Sequence, residues 1–212
     1  MRHKVYTREH ILKAAYELIE KDGFSNFTAR NVANQMGVST QPIYLEFDNM
    51  EDLKQTLIKE IFDDLTKKVF SVEHTGDKVI DISINYIDFA QKNPRLFMAM
   101  YLDEKGGGKA MYDLSYHFIK ETLLQEKEYQ NLSEEYIEAL FHGTWITITG
   151  LATLMLSKVI VPSRQQTITI IENSVNVILE SNYEDINLSG GKRSKKTNNP
   201  SFCLDKSRMY AL

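Results

Sequence analysis

From Thr7 onward the apolar residues return every three or four positions, the period of a helix that buries one face. No other property of the chain restricts its fold as much. Thr7, then Ile11, Leu12, Ala15, Leu18 and Ile19, with Gly23 as a stop, predicts a first helix. Thr28 is placed to cap a short second helix with Val32, Ala33 and Met36 inward, and Gly37 supplies the left-handed residue of a tight turn plugged by Val38. Ser39 is expected to cap a third helix with Pro42 in its first turn and Ile43 and Phe47 buried. Two short helices joined by a turn of about three residues and braced by a longer one make a helix-turn-helix or a generic three-helix core. Further helices are expected over 51 to about 70, 79–92, 94–102, 109 to about 130, 133 to about 158 and 163–183. The expected class is therefore all-α, with about nine helices. Residues 167–171 are β-branched enough for a strand, but their isolation among helices argues against one.

Composition excludes several other classes. Ten Gly and four Pro are too few for a collagen-like or largely disordered chain. With Lys+Arg 25 against Asp+Glu 29, the net charge of -4 does not by itself announce nucleic acid, so any DNA contact must come from local geometry. The first twenty residues lack the apolar block of a secretory signal, and the weakly polar stretch 141–156 falls short of the roughly 18 apolar residues of a bilayer span. The single Cys203 forms no internal disulfide. These features place the expected protein in the cytoplasm, away from the membrane.

Cues for chemistry fail on inspection. Gly106-Gly107-Gly108-Lys109 lacks the first glycine, the following Ser or Thr and the preceding strand of a phosphate loop. His3, His10, His74, His117 and His142 do not pair on one helix face, and Cys203 lies in a polar tail. No catalytic residue, metal site or cofactor is expected, and the chain is not read as an enzyme.

The residues Ile11 to Ala15, Gly23-Phe24, Thr28 to Ala33, Gly37-Val38-Ser39, Ile43-Tyr44, Phe47 and Leu53 resemble the amino-terminal DNA-binding domain of TetR-family transcriptional regulators. A looser likeness covers Tyr86 to Ala90, Asn93-Pro94 and Leu96-Phe97, and Trp145 with Thr149 to Ala152 is similar to an element of one subset that has His where Thr149 stands here. The resemblance implies residues 1–50 as a helix-turn-helix DNA-binding domain, 51–186 as a helical ligand-binding and dimerisation domain, and leaves 187–212 as a flexible basic tail. It implies that Ser39, Thr40, Gln41 and Pro42 read base edges and that Tyr44 reaches a phosphate. Gln41 offers an amide pair suited to adenine, and Thr40 and Pro42 suit a thymine methyl. Thr28, with the start of the second helix, and Arg30 are candidates for a phosphate. Asp48, Met50 and Glu51 stand where the family often has Lys or Arg, so Lys54 is expected to substitute, and a modest salt dependence follows. Arg2, Lys4 and Arg8 form either a basic arm or a solvated terminus.

For the second half, Tyr86, Phe89, Phe97, Tyr101, Tyr112, Tyr116, His117, Phe141 and Trp145 are candidate walls of an apolar effector pocket, with ordinary core as the competing reading. In the last two long helices Ile137, Leu140, Phe141, Thr144, Ile148, Leu151, Met155, Ile168, Ile171, Val175 and Ile178 are expected to face the body. Trp145, Ala152, Ile170 and Val177 are expected to point outward, toward a second copy. The resulting expectation is a homodimeric regulator, a repressor that binds a palindromic operator and is released by an unknown small molecule. The rival from another class is a helical sensory module that binds a small molecule or protein and no DNA.

Overall fold

The computed structural model describes residues 6–127 and 129–180, and among them all regular structure is helical. The expectations for Arg2, His3, Lys4, Cys203 and the tail 187–212 fall outside those residues. Nine α-helices follow in order: α1 (Arg8–Asp22), α2 (Ala29–Met36), α3 (Gln41–Glu46), α4 (Met50–Lys68), α5 (Lys78–Lys92), α6 (Pro94–Phe97), α7 (Gly108–Gln125), α8 (Glu134–Leu156) and α9 (Arg164–Glu180). One 3-10 turn, Phe24–Asn26, follows α1, and one π-helical turn, Met98–Leu102, extends α6. The segment 167–171 lies within α9, with Thr167 and Ile171 buried.

Helices α1, α2 and α3 close around Ile11, Ala15, Ile19, Val32 and Ile43, none more than marginally exposed. α4 leaves this head and enters the body. Asn49 starts it by accepting from the N–H groups of Glu51 and Asp52 at 2.9 and 3.0 Å. Glu51 and Asp52 in its first turn and Lys67 and Lys68 in its last match the helix dipole. Its buried stripe of Leu53, Leu57, Ile58, Ile61, Phe62 and Leu65 packs on α1 at one end and α7 at the other.

α5 is the spine of the body, covered by α6, α7, α8 and α9, and it buries Asp81, Ser83 and Asn85 along with its apolar residues. Each of these polar groups is engaged. Asp81 accepts from Thr75 N–H, Thr75 Oγ1 and Gly76 N–H at 2.7, 2.8 and 3.2 Å, Ser83 donates to the Val79 carbonyl, and Asn85 holds Val72 and His74. α8 and α9 pair most closely at Gly143, where a Cβ would meet Ile178 at 2.4 Å.

Four expectations are corrected. Thr40, not Ser39, is the residue before α3, because the first turn closes from Ile43 N–H to the Thr40 carbonyl. α7 ends at Gln125 instead of near 130: the chain turns so that buried Tyr129 can donate to Asp77 at the start of α5. Trp145 and Ala152 face inward, and the outward stripe of α8 is Ile146, Gly150 and Leu154, spaced four apart on one face. Finally, α8 is 23 residues long with a mean hydropathy of 1.4, so by length and composition it meets the requirement for crossing a bilayer. In the fold its Ile137, Leu140, Phe141, Ile148 and Leu151 are core residues.

Candidate nucleic-acid interface and effector cavity

The head carries the first candidate site. Thr28 accepts from Asn31 N–H at 3.2 Å and so caps α2, while Arg30 one turn away is exposed. Gly37 takes φ 69, ψ 35, the left-handed conformation that ends α2, and Val38 N–H bonds the Ala33 carbonyl at 3.0 Å with its side chain half-buried. The turn thus fixes α3 against α1 and α2. Ile43 and Phe47 anchor α3 from below. On its outer side Ser39 and Gln41 are exposed, Thr40 and Pro42 are half-buried, and Tyr44 and Leu45 are 53% and 76% exposed. Five of the expected contact residues therefore border one surface. Leu45 was missed, although it follows Gln41 by four positions and so shares its face.

Two cations are committed elsewhere. Lys54 donates to the Lys105 carbonyl at 2.7 Å and sits 5.3 Å from the Phe24 ring centre, so it points to the body and not to the recognition surface. Arg8 is no loose arm: it donates to the Glu46 carbonyl at 2.8 Å and to Thr56 Oγ1 at 3.0 Å, and its guanidinium lies 4.1 Å over the Phe47 ring. It pins the end of α3 to α1 and α4.

Lys54 belongs to a joint between head and body. Asp103 accepts from Phe24 N–H at 3.3 Å and from Lys105 N–H at 2.9 Å, linking the end of α1 to the loop after the π turn. That loop requires its glycine: a Cβ on Gly106 would lie 2.1 Å from the Ala99 carbonyl oxygen. Gly106 and Gly107 thus form a packed corner, while Gly108 has open space beside it.

The second candidate site is an interior cavity of about 50 Å³, walled by α5, α7 and α8 and by Phe70 just past α4. Of the expected lining, Tyr86, Phe141 and Trp145 face it. Phe97 and Tyr101 stand behind Tyr86, with ring centres 5.4 and 5.0 Å from it. Tyr112 and Tyr116 each touch Phe141 from α7, at 5.3 Å. Phe89 instead borders a groove between α1 and α4, and His117 is exposed. Phe118, a further member of the aromatic set, also faces the cavity, and the lining that sequence reasoning missed includes Phe70, Ile82, Ser83 and Ser115. Nothing in the spacing of these residues marks them as facing a cavity instead of a neighbour. Burial pushes the Tyr86 hydroxyl well above the ordinary tyrosine range, although its bond to Thr149 at 3.1 Å acts the other way. Thr149, which replaces the histidine of the related subset, therefore has its own partner. Tyr112 bonds His142 Nε2. Among the described residues no cluster of His, Cys, Asp or Glu is arranged for a metal.

Residues 11–56 match the family profile of bacterial regulatory proteins, tetR family. An uncharacterized HTH-type transcriptional regulator of Haemophilus influenzae is 21% identical over 159 residues, which cover 73% of this chain and 76% of that protein. Among solved structures, a TetR-family regulator from Vibrio parahaemolyticus aligns over 80% of this chain and 96% of its own, with a TM-score of 0.59 and 20% identity. SmeT, the repressor of the Stenotrophomonas maltophilia multidrug efflux pump SmeDEF, aligns over 82% and 89% with a TM-score of 0.52 and 16% identity. The family match falls on the helix-turn-helix segment, the part that separates a DNA-binding protein from the rival expectation of a module that binds no DNA.

Proposed function

We propose that the chain is a TetR-family DNA-binding transcriptional regulator and not an enzyme, a repressor that grips a palindromic operator as a homodimer and lets go when a small molecule enters its body. The observation that carries this reading is the outer face of α3. Gln41, Tyr44 and Leu45 stand in solvent while Ile43 and Phe47 hold the helix in place, an arrangement suited to entry into a major groove. On this reading Ser39, Thr40, Gln41, Pro42 and Leu45 meet base edges, and Tyr44 fixes the register at a phosphate. Thr28 and Arg30 meet backbone phosphate through the start of α2. Residues 1–50 are the DNA-binding part and 51–186 the sensing and pairing part, the division falling in the first turn of α4.

Pairing is supported by the apolar side chains that α8 and α9 leave outside. Ile146 and Val177 are 57% and 66% exposed, and Leu154 and Ile170 are also in solvent. Gly150 lies in the middle of the α8 stripe with open space above it, which lets a second copy approach closely. A palindromic site requires a twofold protein, and an isologous four-helix contact supplies one. Release follows from the route between the two sites. The cavity touches Phe70 past the end of α4, and α4 and the Asp103 joint both lead to the head. An effector that fits only one arrangement shifts the spacing of the two α3 helices. SmeT supports the repressor reading as a fold neighbour described as a repressor.

Selection from random duplex DNA tests the proposal. An inverted repeat with half-sites about one helical turn apart is expected. Enrichment of an unpaired half-site, or of none, would sink it.

A further inference from the structure

The effector cavity is walled without charge, and we propose that the molecule it takes is uncharged and largely apolar, with one hydrogen-bonding group that meets Thr144. This rests on the reading that the chain answers to a small molecule, and it names the class of that molecule.

The wall comes from Phe70, Ile82, Phe118, Phe141, Trp145 and their neighbours, and no Asp, Glu, Lys, Arg or His is among the lining residues. A carboxylate or ammonium entering here would shed its hydration and meet no counter-charge, a cost of several kcal/mol. Two of the polar groups that line the cavity are engaged: Ser83 donates to the Val79 carbonyl at 2.6 Å, and Tyr86 pairs with Thr149. Thr144 differs. It is 7% exposed, it lines the cavity, and its Oγ1 has no hydrogen-bond partner. A buried hydroxyl left alone is costly, and a ligand oxygen or nitrogen that meets it recovers that cost.

Size adds a constraint. The free space of about 50 Å³ is well under the roughly 150 Å³ that accepts a benzene ring, so a ligand must displace wall side chains as it enters. Phe70 and Phe118, with ring centres 6.2 Å apart, close the end of the cavity nearest α4. Occupancy is therefore felt at the end of α4 that lies in the body.

Trp145 is the chain's single tryptophan and forms part of the wall, so its fluorescence reports this site alone. The full-length protein at pH 7 is titrated with 1-octanol, octanoate and octylammonium, all at monomeric concentrations. We expect a saturable emission change with 1-octanol and binding at least about 100-fold weaker for the two ions. Thr144→Val should weaken 1-octanol about tenfold and leave 1-chlorooctane unchanged, with a melting temperature no lower than wild type. An ion that binds as well as 1-octanol, or a Thr144→Val protein that holds 1-octanol unchanged, overturns the proposed class but leaves a ligand-responsive regulator standing. Silence with every probe overturns the class and the effector reading together, and the operator selection is unaffected.

Discussion

Helices α3 and α5 solve opposite problems. α3 has six residues, of which Ile43 alone is buried, while α5 has fifteen and buries eleven of them, including Asp81, Ser83 and Asn85. α3 is held at few points, by Ile43, by Phe47 beyond its end and by Arg8 across it, so most of its surface is free to contact something else. α5 is held everywhere, and each buried polar group is part of the cost of folding. Side chains on α3 should thus govern binding with little effect on stability, and those on α5 the reverse.

The largest effect should come from removing the outer face of α3. Gln41→Ala combined with Tyr44→Ala is expected to weaken operator binding about 100-fold or more by fluorescence anisotropy, since each good base or phosphate contact contributes about 1–3 kcal/mol. The melting temperature should move by no more than about 2 °C, because both side chains are exposed. A variant that binds normally would remove these residues from the interface.

The mirror experiment on α5 is Asp81→Ala. Three donors of the exposed Thr75–Gly76 turn would lose their acceptor, at a cost of about 1–2 kcal/mol in urea unfolding, with operator affinity of the folded protein within about twofold of wild type. Its acid behaviour sharpens the contrast. Burial by itself raises the Asp81 carboxyl, but the bonds from Thr75 and Gly76 outweigh it and hold the folded value below the ordinary 3.8. A carboxyl lowered by folding stabilises above its unfolded value and loses that contribution as pH falls through the folded one. Wild type should therefore lose stability more steeply than Asp81→Asn below pH 3.8. Parallel acid limbs in chemical denaturation would show that Asp81 has no such role.

The smallest expected effect concerns charge around α3. Arg8 and Lys54 are both committed within the protein, and Glu46, Asp48 and Glu51 are exposed near the recognition surface. Asp48→Lys should tighten operator binding a few-fold at low salt and steepen the salt dependence by about 0.9 for the phosphate gained. Lys54→Ala should leave that slope unchanged. A shallower slope for Lys54→Ala would return this lysine to the DNA surface.

The contrast also explains what was legible. The head could be read closely because its constraints are local: Thr28 caps α2 within three residues, and Gly37 adopts the positive φ that a short turn demands. Even there the cap of α3 was misplaced by one residue, since Ser39 and Thr40 are chemically equivalent and only the closed first turn separates them. The cavity was harder. Phe97 and Trp145 belong to one aromatic set by composition, yet Trp145 faces the open space and Phe97 lies behind Tyr86. Helical spacing tells which face is apolar but not whether that face meets a neighbour, a void or a second copy. Ala152 was read as outward and is buried for the same reason.

By itself the sequence determined the all-helical class, the short turn between α2 and α3 and the outward side of α3, because periodicity, caps and a left-handed glycine act over a few residues. The tertiary structure alone decided that Arg8 and Lys54 bind protein, that Tyr129 ends α7 early, and that Thr144 faces an empty space. Each of those outcomes depends on groups dozens of residues apart, and the energy that selects them exists only once the helices have packed.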